Sequence, residues 1–219
     1  MTLSEGIALA VLQGLTEFLP VSSSGHLTLA SAFFRIPGNT LAFDVVLHLG
    51  TLTAVLAVFG GDLLSLVAGA LRGDRGKVRE IMVLAVASVP AGIVGLTLSG
   101  WVERAAGSPL AVSLLMLLTG TVLFATRFAP EGEGKPGFRT GAVIGVSQAL
   151  AVLPGVSRSG MTISSGLFCG TGRAEAGRFS FLLSVPAILG AAVMELPGAE
   201  WDTSSTVLAV GFAVSALVG

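Results

Sequence analysis

Two ionisable side chains stand where an apolar chain would be expected to carry none. Glu17 closes the apolar segment 3–18, and Arg158 follows the charge-free stretch 140–157. In hydrocarbon such a group costs about 2.5–3.5 kcal/mol on insertion scales, so by default it marks a functional site. Each lies beside a Gly/Ser-rich interruption, Pro20-Val-Ser-Ser-Ser-Gly-His26 in one case and Pro154-Gly-Val-Ser-Arg-Ser-Gly160 in the other. Breaks of this kind at helix N-termini present backbone N–H groups and the positive end of a dipole, which favour an anion. Arg158 adds a planar fork of donors that matches phosphate oxygens. A seryl hydroxyl near Glu17 or His26 supplies a nucleophile with a base at hand. The plainer alternative is an ion pair that only ties the two segments together. Three hydroxyl-bearing residues after Pro20 and freely approachable backbone at Gly25, Gly155 and Gly160 exceed what such a pair requires. The pattern describes a phosphate site, and its apolar surroundings suit a ligand with a long hydrocarbon tail.

The elements that position these residues must lie in a membrane. The 219-residue chain is 53% hydrophobic and only 11% charged, with a mean hydropathy of +0.88; a soluble domain carries about a quarter charged residues. Residues 81–101 and 107–126 contain no Asp, Glu, Lys or Arg, and each matches the roughly 20 residues a spanning helix needs. A net charge of −1 excludes a phosphate-neutralising nucleic-acid surface. The single Cys169 cannot form an intrachain disulfide and reads as a small apolar helix residue. The start MTLSEG carries Glu5 and no basic region, so the first apolar segment belongs to the fold and is no cleaved leader.

Proline and glycine divide this membrane domain. Residues 3–18 and 26–36 are each too short to span, are joined by the first break, and stop at Pro37-Gly38. They predict a re-entrant hairpin over 3–36, because bare backbone at membrane depth is tolerated only against protein or a water-filled cavity. A second hairpin is predicted over 139–169. A shift of 135 residues aligns 13–25 with 148–160 without a gap, with identity at Gln13/Gln148, Leu15/Leu150, Val21/Val156, Ser22/Ser157, Ser24/Ser159 and Gly25/Gly160. Where the copies differ, Glu17 faces Val152, Ser23 faces Arg158 and His26 faces Met161. The repeats, about 1–126 and 137–219 of a single domain 1–219, share a scaffold and divide the polar chemistry. With about five spanning helices, over 39–69, 81–100, 108–124, 179–194 and from 203, nine of the twelve basic residues gather on one side, from Arg72 to Arg178. That side is expected to be cytoplasmic. The hairpins then enter from opposite faces, as in inverted-topology repeats whose broken helices meet near the midplane. Trp101 and Trp201 fall at the outer interface. The apolar run 207–218 reaches almost to Gly219, so a closing C-terminal span is expected to be missing.

The stretch Gln13-Gly-Leu-Thr-Glu-Phe-Leu-Pro-Val-Ser-Ser-Ser-Gly-His26, with Pro154-Gly-Val-Ser-Arg-Ser-Gly-Met-Thr162, resembles the two signature regions of the undecaprenyl-diphosphate phosphatase, or bacitracin-resistance, family. Residues 43–51 resemble its first full span. The resemblance implies hydrolysis of the C55 isoprenoid diphosphate to the carrier-lipid monophosphate and inorganic phosphate, in a multi-pass protein of the bacterial inner membrane with its site facing outward. Gln13 and Glu17 match the family's Glu/Gln-x-x-x-Glu motif, which implies a divalent cation, Mg or Ca, held by Glu17 and Gln13. Gln13 can ligate but cannot serve as a carboxylate base, so Glu17 is the base or ligand. Ser23 is implied as nucleophile, His26 as proton carrier and Arg158 as stabiliser of phosphoryl charge. Ser22, Ser24, Gly25, Ser157, Ser159, Gly160 and Thr162 are implied as substrate-binding positions.

Several alternatives stay open at this level. Water can attack phosphorus directly in place of Ser23. Gln148 either lines the site or holds the second hairpin, and His48 is read as a hydrogen-bonded partner of Asp44 in preference to a metal ligand. Inverted repeats also serve transporters, so movement of a polyprenyl phosphate or small anion is the rival function. Ser157-Arg158 also occurs in the soluble-type acid phosphatase pattern, but Ser164 stands where that pattern requires His. The chain is read as a monomer or homodimer, with no nucleic-acid partner.

Overall fold

The computed structural model describes residues 1–36 and 40–219, without the side chains of Ser99 and Glu103. The Pro37-Gly38 stop and the start of the predicted span at Asn39 lie outside the described residues. Among these the chain is helical, with no β-strand.

The helices are α1 (Leu3–Phe18), α2 (Ser23–Phe34), α3 (Leu41–Leu71), α4 (Arg75–Ala106), α5 (Pro109–Ala125), α6 (Phe138–Leu150), α7 (Arg158–Phe168), α8 (Arg173–Glu195) and α9 (Ser205–Val218). Four segments are long and apolar enough to cross a membrane: Leu41–Leu71, Arg75–Leu98, Pro109–Phe128 and Arg173–Gly198. The predicted fifth corresponds to α9, whose 14 residues fall short of that length. Their outward faces are apolar, as Val58 at 75% exposure and Leu117 at 68% illustrate, while Gln13, Glu17, Thr51, Thr119 and Gln148 are buried. Such a surface suits lipid, where polar groups must be satisfied internally.

Local sequence explains the two short helix pairs. The α1 helix opens on a capping box, with the Glu5 amide donating to Thr2 Oγ1 and the Thr2 amide to Glu5 Oε2. It ends ahead of Pro20, whose ring cannot continue the hydrogen-bond ladder. Ser22 then caps α2, accepting from the Gly25 amide, as Ser157 caps α7 by accepting from the Gly160 amide. The chain entering α6 touches the chain leaving α7, because the Gly172 amide donates to the Gly134 carbonyl at 3.1 Å.

The two halves of the chain interlock. The α1 helix packs on α9, and α6 packs on α4, so each short pair leans on a helix of the other half. The α6–α4 crossing is close enough that a Cβ at Gly145 would lie 2.9 Å from the Ala87 carbonyl. Small residues at such crossings let backbones approach where lipid supplies no hydrophobic drive between helices. Arg178 joins three helices, donating from Nε to Asp62 at 2.8 Å and from Nη1 to Glu80 at 2.5 Å.

Candidate active site

The two breaks lie against each other. A Cβ at Gly25 would come within 3.1 Å of Gly155 Cα, and one at Gly160 within 3.2 Å of the Pro20 carbonyl oxygen. Under the 135-residue shift these two contacts exchange places, since Gly25 maps to Gly160 and Pro20 to Gly155. Gly155 has a φ of +99°, which L side chains avoid. Ser159 Oγ donates to the Leu19 carbonyl at 3.3 Å, a second tie across the breaks. The α5 helix braces the second break. Thr119 Oγ1 donates to the Gly155 carbonyl at 3.0 Å and accepts from the Ser157 amide at 3.0 Å.

Glu17 is the hub. It is buried, at 6% exposure. Its Oε1 pairs with Arg158 Nη2. Its Oε2 accepts from Ser23 Oγ at 2.5 Å and from Gln13 Nε2 at 3.0 Å, and it lies 3.6 Å from His48 Nε2. Arg158 Nη1 is buried without a hydrogen-bond partner among the described residues. The amides of Ser23 and Ser24 opening α2, and of Arg158 and Ser159 opening α7, also lack partners there. Unsatisfied donors around one carboxylate-bound hydroxyl form a cradle for an anion carrying several oxygens.

The remaining candidates divide by what they touch. Ser22 and Ser24 share a contact between hydroxyls at 3.4 Å, and Ser157 and Ser159 share the equivalent one at 3.2 Å. Ser22 has a φ of 71°, a strained value for a residue with a side chain. His26 Nδ1 faces the Ser22 carbonyl at 2.7 Å. A carbonyl only accepts, so Nδ1 carries the proton and Nε2 offers a lone pair. Thr162 points elsewhere: its hydroxyl meets the carbonyls of Arg158 and Ser159 and Ser180 Oγ at 2.7 Å, joining α7 to α8. Gln148 donates to the Ala87 carbonyl at 3.4 Å and braces α6 on α4.

Three placements add to the sequence reading or differ from it. His48 is hydrogen-bonded to Asp44, as its spacing suggested, through Nδ1 and the Asp44 main-chain carbonyl at 2.7 Å, and its Nε2 lies 3.6 Å from Glu17 Oε2, a neighbour the spacing did not announce. The helical turn brings residue 44's carbonyl under residue 48, while the Asp44 side chain is engaged by Thr40 at 3.0 Å. Thr119 carried no signal, because a threonine in a spanning helix commonly bonds its own turn. Cys169 is exposed just past the end of α7, where its helix has already terminated.

A hard divalent cation prefers oxygen donors. Gln13 Oε1, fully buried and unpartnered on the amide whose nitrogen donates to Glu17, is such a donor. No cluster of three His, Cys, Asp or Glu side chains occurs among the described residues. Glu17 and Gln13 therefore fit an ion that takes its other ligands from substrate oxygens and water, as Mg²⁺ does at phosphate sites.

The chain matches the model of the bacitracin resistance protein BacA family over residues 6–219. It is similar to proteins named undecaprenyl-diphosphatase. That of Desulforapulum autotrophicum is 44% identical over 226 residues, covering 93% of this chain and 82% of the relative. That of Moorella thermoacetica is 42% identical, covering 100% of this chain and 85% of the relative. That of Desulfosudis oleivorans is 46% identical, with 87% and 76% covered.

Proposed function

The chain belongs to the bacitracin resistance protein BacA family, and from that premise we propose the chemistry of its site. The protein is a membrane-embedded hydrolase that cleaves undecaprenyl diphosphate to undecaprenyl phosphate and inorganic phosphate. This activity regenerates the lipid carrier for cell-wall synthesis and fits a role in bacitracin resistance.

One observation supports the mechanism above all others: Ser23 Oγ lies 2.5 Å from a Glu17 oxygen whose twin oxygen holds Arg158. Ser23 attacks the terminal phosphorus while Glu17 takes its proton. The bridging P–O bond breaks and undecaprenyl phosphate departs. Arg158, through its unpartnered Nη1, and the free amides of Ser23, Ser24, Arg158 and Ser159 hold the non-bridging oxygens as charge shifts among them. Water then cleaves the phosphoserine: His26, whose Nδ1 is held by the Ser22 carbonyl, takes the water's proton on Nε2, and Glu17 returns the proton to Ser23 Oγ. Ser22 and Ser157 shape the two N-termini, and Ser24, Ser159, Gly25 and Gly160 let them close on the diphosphate. Thr162 keeps α7 against α8. Glu17 and Gln13 would hold a divalent cation, Mg or Ca, and it would supply neutralisation of the diphosphate charge. Direct attack by water, with Glu17 as base, uses the same residues except the Ser23 nucleophile.

The helix pairs are re-entrant hairpins, α1–α2 from the outer face and α6–α7 from the cytoplasm of the inner membrane, with the site open outward. The Gly134–Gly172 contact supports this for α6–α7, because it joins the start and end of that pair. For α1–α2, Met1 and Ile36 pack on one apolar cluster around Leu9, Leu27 and Phe43.

Phosphate release from undecaprenyl diphosphate in detergent tests the function, since transport requires a sealed bilayer and hydrolysis does not. Wild-type protein should release phosphate, and Ser23→Ala should lose at least about a hundredfold, in line with loss of a transition-state group. A covalent phosphoserine trapped at Ser23 identifies the nucleophile. Near-wild-type activity in Ser23→Ala assigns attack to water.

A further inference from the structure

At the end of the bundle where α3 finishes and α4 and α8 begin, a cavity of about 310 Å³ opens between α4, α8 and the loop ahead of α6. It shares no lining residue with the breaks around Glu17 and Arg158. Four cations reach it, Lys77, Arg79, Lys135 and Arg178, against the carboxylates of Asp74, Glu80 and Glu175. Those carboxylates are already engaged. Glu80 accepts from Arg178 Nη1 at 2.5 Å, and Glu175 lies 3.8 Å from the same nitrogen. Asp74 Oδ1 caps α4, accepting from the Gly76 and Lys77 amides at 2.8 and 3.2 Å. Lys77, Arg79 and Lys135 have no carboxylate within 4.0 Å among the described residues.

Neighbouring elements hold two of these cations in place. The stem of Lys77 lies on α3, where a Cβ at Gly69 would come within 2.7 Å of Lys77 Cγ. Arg79 reaches across to α6, with its Cζ 5.9 Å from the centre of the Phe138 ring. A basic excess orients a membrane chain by the number of its charges. That requirement does not make three unpaired ones converge on a single cavity. Deeper in, the lining turns apolar at Val83 and Phe179, both buried. On the adjoining face of α4, Val78, Met82, Val86 and Val89 are exposed, at spacings of three and four that form one stripe.

We propose that this cavity binds the phosphate headgroup of an anionic phospholipid, held by Lys77, Arg79 and Lys135, with the acyl chains laid along the α4 stripe. Basic pockets between membrane helices suit such headgroups, and the cations and the apolar stripe match the two ends of one lipid. A zwitterionic lipid carries its own cation into the cavity and is disfavoured there. The bound lipid would tie the loop entering α6–α7 to α4 and α8. The site is separate from the hydrolytic one and stands whether or not the chain hydrolyses a diphosphate.

The test uses the full chain, delipidated in detergent, and counts bound lipid per chain by native mass spectrometry. Phosphatidylglycerol and phosphatidylcholine with the same acyl chains are titrated in separately. The first phosphatidylglycerol should bind at least about tenfold more tightly than phosphatidylcholine. Lys77→Gln, Arg79→Gln and Lys135→Gln should each weaken phosphatidylglycerol about fivefold and leave phosphatidylcholine unchanged. A control triple variant, Arg72→Gln with Arg127→Gln and Arg173→Gln, removes as many charges outside the cavity and should keep the wild-type preference. The proposal is overturned by equal affinity of the two lipids for wild-type protein, or by a control triple that loses as much as the cavity triple. Displacement of phosphatidylglycerol by an equal concentration of inorganic phosphate also overturns it, because the site would then take a free anion. The wild-type preference does not depend on any variant folding. Phosphatidylglycerol should also raise the melting temperature of the wild type and not that of the cavity triple. A failure of the phosphatase reading is a different result, namely no phosphate release by wild-type protein, and it leaves the lipid preference standing.

Discussion

At the scale of single residues, the energetics of Glu17 and Arg158 separate structure from chemistry. They form a pair across 141 positions of sequence, with Glu17 almost entirely out of solvent. Removing one partner of a buried pair strands the other charge and costs about 3–5 kcal/mol, whereas replacing both with apolar groups is often close to neutral. Glu17→Ala and Arg158→Ala should each lower the melting temperature in detergent, and each should lose phosphate release by at least about a hundredfold. The double variant should regain most of the thermal stability and none of the activity. Recovery of activity along with stability would reduce the pair to a structural tie. Both residues stand out in sequence because an ionisable group in an apolar run is costly wherever the chain folds. His48 and Thr119 do not, because their meaning depends on which elements face them. A histidine four residues after an aspartate reads as a local pair, which His48 and Asp44 are, and its second ring nitrogen gains Glu17 as a neighbour only when α3 is laid against α1.

At the scale of elements, the breaks depend on backbone that no side chain can replace. Gly155 combines a φ of +99° with a Val112 carbonyl oxygen 2.5 Å from where its Cβ would sit. Both obstacles are backbone, so neither is relieved by a rotamer change. Gly155→Ala should cost about 1–3 kcal/mol from conformation alone, displace the Ser157 cap and lower activity with stability. Gly120→Ala, on α5 with nothing within 4 Å of its Cβ, should leave both unchanged in the same melting and phosphate-release assays. The helix ends were legible because Pro20, Ser22 and Ser157 act on their nearest neighbours. The six identities between 13–25 and 148–160 announced two similar breaks. They did not reveal that α5 braces the second one, since Thr119 hydrogen-bonds residues 36 and 38 positions away.

At the scale of the whole molecule, the packing is an exchange: α9 supports α1 and α4 supports α6, so neither half buries its own short pair alone. Composition gave the membrane class and the apolar spans, because hydropathy is additive along the chain. The exchange was hidden, because periodicity along a helix says which face is apolar and not which helix covers it. The same packing makes sidedness testable with a native reporter. Cys169 is exposed just after α7, and the neighbouring Gly172 amide bonds the Gly134 carbonyl ahead of α6. If α6–α7 enters and leaves by the cytoplasmic face, Cys169 shares that face with Arg127, Lys135, Arg139 and Arg173, the basic cluster that the membrane potential and insertion machinery keep inside. A membrane-impermeant maleimide should therefore label Cys169 in inside-out vesicles and leave it unmodified in spheroplasts. In a Cys169→Ser background, the exposed position Glu200, replaced by cysteine, should show the opposite pattern, because α8 carries the chain across. Labelling of Cys169 from the outside would mean that α6–α7 crosses the bilayer instead of returning. The two breaks would then no longer approach the midplane from opposite faces, and the site would lose the topological basis for opening outward.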